Sequence, residues 1–440
     1  MRLPLLAVAL CALTACAPPA QVSKNRPLVE TGVGFGRLSS ASLPSAGATG
    51  SSLARDFLDL TFAMESGRGL DRFTRFEGPI TVAITGDAPA SAARDLGALI
   101  GRLQSEAGID IRPASGGAAT ITVEFADRSV LRRLAPQAAC FVVPNVGSLA
   151  DYRRLRGSPQ VDWAEVTERR QAAIFIPSDT SPQEVRDCLH EELAQALGPL
   201  NDLYRLSDSV FNDDNFHSVL TGFDMQVLRL TYSPRIASGM PRDQVAATLF
   251  GAGGMGATPS PGAWSQAIET ALGRSGSLAA RQDAAGRALD LALRQGWQDA
   301  RLGFSHFAVG RLTAGSDPES ALQHFDAAAA VYARLPGGSV HLAHVDMQRA
   351  AIALAAGRND DVLMLTDRAM PVVRANENLA LLATLMLIRA EAMERLGDAD
   401  GAAALRLDTV SYARYGFGSD SMVRARVRDI AAVADRAGNG

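Results

Sequence analysis

The pair Gly198-Pro199 limits what this chain can build around it. Upstream, Ser181-Pro182-Gln183-Glu184 offers a hydroxyl cap, a proline at the first helical position and an acidic first turn, which together predict a helix start. Leu189, Leu193, Ala196 and Leu197 recur at helical spacing and form an apolar stripe, leaving Glu192 and Gln195 for another side. Gly198 is expected to end the helix in the left-handed conformation, and Pro199 prevents its resumption. The chain must then turn and bring Asn201-Asp202 back beneath the helix. Glu191, Glu192, Gln195, Asn201 and Asp202 are thereby expected to gather at one helix end.

Aligned on Gly198, this segment resembles the zinc helix of the metzincin metallopeptidases, His-Glu-x-x-His-x-x-Gly-x-x-His-Asp. Glu192 falls on the general-base glutamate, Gly198 on the turn glycine and Asp202 on the closing acidic residue. The three zinc histidines fall on Glu191, Gln195 and Asn201, so the spacing is kept and the ligands are not. His190 does not restore the motif, because the residue four positions on is Ala194. The stretch also resembles an uncharacterised bacterial family, domain-of-unknown-function family 2927. Its pattern is met, with a departure at Thr231 where the family has leucine before the tyrosine, by Glu191-Glu192-Leu193-Ala194-Gln195-Ala196-Leu197-Gly198, then Asn201-Asp202, Ser209-Val210-Phe211-Asn212-Asp213, Leu228-Arg229-Leu230-Thr231-Tyr232-Ser233-Pro234 and Gly239-Met240. The resemblance implies an α+β, zincin-like domain over residues 52–245 and carries no activity with it. Met240 lies where metzincins place a methionine-containing turn.

The N-terminus reads as a targeting segment. Met1-Arg2 precedes an apolar run at residues 3–13 that is too short to span a bilayer. Leu13-Thr14-Ala15-Cys16 resembles the lipobox of bacterial lipoproteins, which implies a signal peptide over residues 1–15 and acylation of Cys16. Residues 16–51, rich in Ala, Pro, Gly and Ser, are expected to be a flexible tether. After Cys11 and Cys16, two cysteines remain, Cys140 and Cys188. An even pair in an oxidising compartment predicts a disulfide, which would staple the Cys188 helix to a strand near Cys140.

Residues 52–66 carry a helical pattern in which Leu53, Phe57, Leu60 and Phe62 share a broad face. Strands are expected at residues 80–84, 109–112, 120–125, 139–143 and 172–176, with a helix over 91–107 and another over 224–230. The run Phe211-Asn212-Asp213-Asp214-Asn215-Phe216-His217 lacks the alternating ligands of a calcium loop and reads as a solvated turn. Gly251-Ala252-Gly253-Gly254-Met255-Gly256 meets a dinucleotide pattern by letter only. It follows no strand, and Pro259 and Pro261 forbid the helix that would hold phosphate. Residues 246–263 therefore read as a linker.

From residue 264 to 440 the chain is helical and repetitive. Gly315, Gly357 and Gly397 recur at intervals of 42 and 40 residues, each with an alanine seven positions before it (Ala308, Ala350, Ala390) and Asp317, Asn359 or Asp398 close behind. That period predicts an array of helical hairpins and resembles tetratricopeptide repeats. Tyr332, Tyr412, Tyr415 and the histidines His306, His324, His341 and His344 read as packing or surface residues.

The net charge of −4 and the absence of a basic run give no reason to expect a nucleic-acid partner. Two functions follow as expectations. In one, a lipid-anchored envelope protein facing the periplasm binds a protein or peptide through its repeats, and the polar side chains at the α-helix end form a hydrogen-bond lock with no cofactor. In the other, the chain is an atypical metal-dependent hydrolase with Glu192 as general base and a divalent metal held by Glu191, Gln195, Asn201 or Asp202. Neutral amides suit hard ions rather than zinc, which favours the first.

Overall fold

The computed structural model describes residues 50–136, 138–212, 214–251, 262–273 and 276–435. The signal segment, Cys16, the tether as far as residue 49, Asp213 and residues 252–261 of the expected linker lie outside the described residues. The chain divides into two units. One is a mixed α/β unit up to residue 251, and the other is the helical C-terminal part, with which Tyr204–Ser207 pack.

The first unit opens with α1 (Gly50–Thr61) and continues through β1 (Ile80–Gly86), α2 (Ala92–Ala107), β2 (Ile111–Pro113), β3 (Ile121–Ala126) and α3 (Arg128–Leu134). Then come β4 (Phe141–Pro144), α4 (Leu149–Leu155), β5 (Ala172–Pro177), α5 (Pro182–Leu197), α6 (Gly222–Thr231) and α7 (Arg242–Phe250). The five strands form one sheet in the order β2-β1-β3-β5-β4. All neighbours are parallel except β4, which pairs antiparallel with β5, Val142 opposite Ile174. β5 is buried along its whole length, which its unbroken Ala-Ala-Ile-Phe-Ile run allows. Strand alternation gives Ala173 and Phe175 to the side of Leu131 and Leu149 in α3 and α4. α5 packs against β4 and β5, and α2 packs against α5 and α6.

Three local expectations change. The α1 helix stops at Thr61 rather than running to residue 66. The following backbone is drawn into tertiary bonds instead, the Glu65 amide donating to the Leu200 carbonyl at 3.1 Å and the Leu200 amide to the Leu60 carbonyl at 3.0 Å. The loop after Ser209 is not a solvated turn, since Ser209, Phe211 and Asn212 are buried. Two of its amides bond to its own side chains, Asp214 to Asn212 Oδ1 at 3.2 Å and Phe216 to Asp214 Oδ1 at 2.9 Å, which offsets part of the cost of entering the interior. Finally, α7 carries the first unit past residue 245 into the stretch expected to be linker. Only Val245 and Ala246 of it are buried, too few to leave a readable period.

In the second unit the helices are α8 (Ala263–Leu272), α9 (Leu278–Arg294), α10 (Ala300–Thr313), α11 (Pro318–Tyr332) and α12 (Ser339–Ala355). They continue with α13 (Asn359–Ala375), α14 (Leu379–Arg395), α15 (Ala399–Phe417) and α16 (Asp420–Ala434). Consecutive helices pair, α8 with α9, α10 with α11, α12 with α13 and α14 with α15, and each pair packs on the next. The repeat alanines Ala308, Ala350 and Ala390 have no exposed surface, as close helix approach requires. Asp317 and Asp398 cap α11 and α15, accepting from the Ser320 and Gly401 amides. α16 departs from the stack: it lies across α14 and α12 as well as α15 and buries Ile430, Val433 and Ala434 there. Among the described residues no helix is long and apolar enough to cross a membrane.

Candidate functional site

α5 begins as the residues predict. Ser181 Oγ accepts from the Glu184 amide, and the Glu184 carboxylate accepts from the Ser181 amide, closing a capping box ahead of Pro182. The helix is tied to the sheet by a disulfide between Cys188 and Cys140, which sits just before β4. Twelve of its sixteen residues are buried, so even its polar side is enclosed.

The helix end differs from expectation. Gly198 is extended in φ (−170°) rather than left-handed. What requires glycine is α6: a Cβ there would stand 2.7 Å from Thr231 Cγ2 and 3.1 Å from its Oγ1. Gly198→Val is therefore expected to destabilise the unit by about 2 kcal/mol through overpacking. Adding Thr231→Ser, which deletes Cγ2, should return part of that loss. Denaturant unfolding of the two variants checks it, and an equal loss in both would place the cause elsewhere.

The carbonyls that α5 leaves open are taken by two side chains from outside it. Arg169 Nη1 donates to Gln195 O at 2.6 Å and Ala196 O at 2.8 Å, and its Nη2 donates to Gly198 O at 2.5 Å. Tyr232 Oη donates to Leu197 O at 3.1 Å. Arg169 is buried, lies over the Trp163 ring and also donates to Thr74 Oγ1. Burial lowers its pKa to about 10, which still leaves it charged at neutral pH. Its positive charge complements the negative end of the helix dipole.

Two of the five polar residues expected at the helix end bond to groups from outside the set. Gln195 Nε2 donates to Glu65 Oε1 at 3.1 Å, and Asn201 Nδ2 donates to the Asp59 carbonyl at 2.9 Å. Both amides thus tie the α5 turn to α1 and the residues after it. Glu191 and Asp202 are half-buried, and Glu192 is buried with Oε2 lacking a hydrogen-bond partner. Burial, with Glu191 and Glu65 nearby, holds the Glu192 carboxyl well above the usual range. His190 sits on a different side, its Nδ1 accepting from the Leu220 amide at 3.1 Å, and burial keeps that ring neutral. Among the described residues, no group of three or more His, Cys, Asp or Glu side chains is assembled as a metal site.

A second buried acid stands in α6. Asp224 accepts from Ser209 Oγ at 2.5 Å, the Thr221 amide at 2.8 Å and the Val210 amide at 3.1 Å, fastening the buried loop to the helix that follows it. Burial nonetheless pushes it up to about 7, and does the same to Asp187, which accepts from Gln183 Nε2 at 2.7 Å. Such acids stabilise the fold fully below their unfolded pKa, and the contribution is lost as pH rises through the folded pKa. The melting temperature of the α/β unit should therefore fall between about pH 5 and pH 8. Glu192→Gln should flatten that slope, which thermal melts across the range measure. An unchanged slope would remove Glu192 from the titrating set.

Arg169, Glu65 and Asp224 were not singled out by motif or spacing. Arg169 does not act alone: Arg242 donates to the Leu58 carbonyl near the end of α1, Arg229 to Glu106 O of α2, Arg156 to Leu134 O of α3 and Arg75 to Thr231 O of α6. The available signal is composition, because Lys24 is the chain's single lysine and every other basic residue is arginine, whose fork can take two carbonyls at once.

Residues 50–250 match the model of a family described as a protein of unknown function (DUF2927). No curated protein and no solved structure matches the chain.

Proposed function

We propose that the chain is a lipid-anchored envelope protein that acts by binding another protein, its α/β unit being a zincin-like fold whose metal positions have passed to structural use. The observation that carries this reading is where two of those positions point: the Gln195 amide to Glu65 and the Asn201 amide to the Asp59 carbonyl, both engaged in holding the α5 turn. The mixed sheet leading through β5 into α5 supports the zincin-like reading, and the paired helices with their buried repeat alanines support a tetratricopeptide-like one. A partner surface is offered where α13, α14 and α15 meet. There Met370, Met386, Leu405, Leu407 and Tyr412 line a cleft of about 580 Å³, and Leu407 is 75% exposed.

One observation favours the hydrolase alternative, namely the unpartnered Oε2 of Glu192 beside Glu65 and Glu191. A carboxyl with a raised pKa is what general acid–base chemistry uses. Two measurements on the full-length chain separate the readings. A photo-cross-linking residue at position 407 should capture one discrete partner in cells, and Cys16→Ser should release the protein from the membrane fraction. Peptide cleavage that needs an added divalent metal and disappears in Glu192→Gln would replace the binding reading with the catalytic one.

A further inference from the structure

The α10–α11 hairpin brings two histidines together. His306 in α10 and His324 in α11 point their Nδ1 atoms at each other across 3.0 Å. Their ring centres are 5.3 Å apart and the ring planes are inclined at 38°. Both side chains stand in the middle of regular helices, and both are half-buried, so their spacing is set by rigid backbone while solvent still reaches them. The helices are held close near this point, since a Cβ on Gly310 would meet Phe325 at 3.0 Å and the Ala321 carbonyl at 3.1 Å.

We propose that His306 and His324 form a two-imidazole chelate for one zinc ion, with water in the remaining positions. Zinc–nitrogen distances of about 2.05 Å and a tetrahedral angle place two ligating nitrogens about 3.3 Å apart and their ring centres about 5.2 Å apart. The ring centres already have that spacing, while the two Nδ1 atoms face each other head-on, so a swing of roughly 35° of each imidazole about its centre aims both nitrogens at a common ion. In the metal-free pair one ring carries its proton on Nδ1 and donates to the other. On coordination that proton moves to Nε2 of the same ring, both Nδ1 lone pairs face the ion, and no proton is released overall. Burial and the neighbouring His324 lower His306 to about 4, and burial lowers His324 as well, so both rings are neutral at pH 7. Imidazole nitrogen is a ligand type that zinc takes readily, unlike the amides and carboxylates around α5.

The test uses the full-length chain without a polyhistidine tag, titrated with zinc chloride in competition with a chromophoric chelator. The expected result is one equivalent bound, with at least a tenfold loss of affinity in His306→Gln and in His324→Gln and none in Glu192→Gln. Zinc-edge absorption should show two imidazoles and oxygen around the ion, and circular dichroism should show the variants still helical. Three results would overturn the assignment: no zinc bound, equal affinity in the histidine variants, or binding that survives in them and fails in Glu192→Gln. The last would place the metal at α5 instead.

Discussion

Arg169→Met should cost the α/β unit about 4 kcal/mol. The substitution keeps an apolar stem against Trp163 but leaves Gln195 O, Ala196 O and Gly198 O without their donor in the interior. A buried acceptor left unsatisfied costs roughly 1–3 kcal/mol, and three cannot all be rescued by water unless the turn opens. Arg169→Lys keeps the charge without the fork, so it should recover less than half of the loss. Denaturant unfolding together with hydrogen exchange of the α5 amides measures both. A loss below about 1 kcal/mol would mean that the helix end stands without the guanidinium.

Reduction of the Cys140–Cys188 bond is expected to be of similar size. The bond closes a separation of 48 residues, for which the chain-entropy account predicts about 4 kcal/mol, with smaller values common in practice. The effect should be local first, because the bond joins α5 to the antiparallel edge of the sheet. Unfolding with and without reductant, paired with Cys140→Ala/Cys188→Ala, gives the magnitude. Identical midpoints in oxidised and reduced protein would show that packing alone holds the edge.

What was legible in the residues was local. The capping box at Ser181, the apolar run of β5 and the alternation of β3 each need only a few neighbours, and each gave an element in the expected place. The cysteine pairing is legible from parity and an expected export signal, without geometry. The helix end could not be read in the same way, because the group that demands glycine at position 198 is Thr231 on another helix, and the group that takes the free carbonyls is Arg169. Asn201 and Gln195 lie at the turn, but their partners are 142 and 130 residues away. The loop beyond Ser209 misled through composition: its Asn and Asp side chains suggest water, yet Asn212 and Asp214 accept from two of its own amides as Phe211 and Phe216 go inside. α16 gave no sign that it would leave the stack, since an amphipathic period says which face is buried and not against what.

The position of α1 has a consequence for how the molecule is made. Phe57, Leu58 and Leu60 are fully buried, and the α1 end is held by Leu200, Asn201 and Arg242, the last of them 184 residues downstream of Leu58. The first described helix of the unit is thus completed by some of that unit's last residues. A chain cut before Arg242 would keep Phe57, Leu58 and Leu60 but lose the donor that closes on the Leu58 carbonyl, so this unit is whole only once α7 is in place.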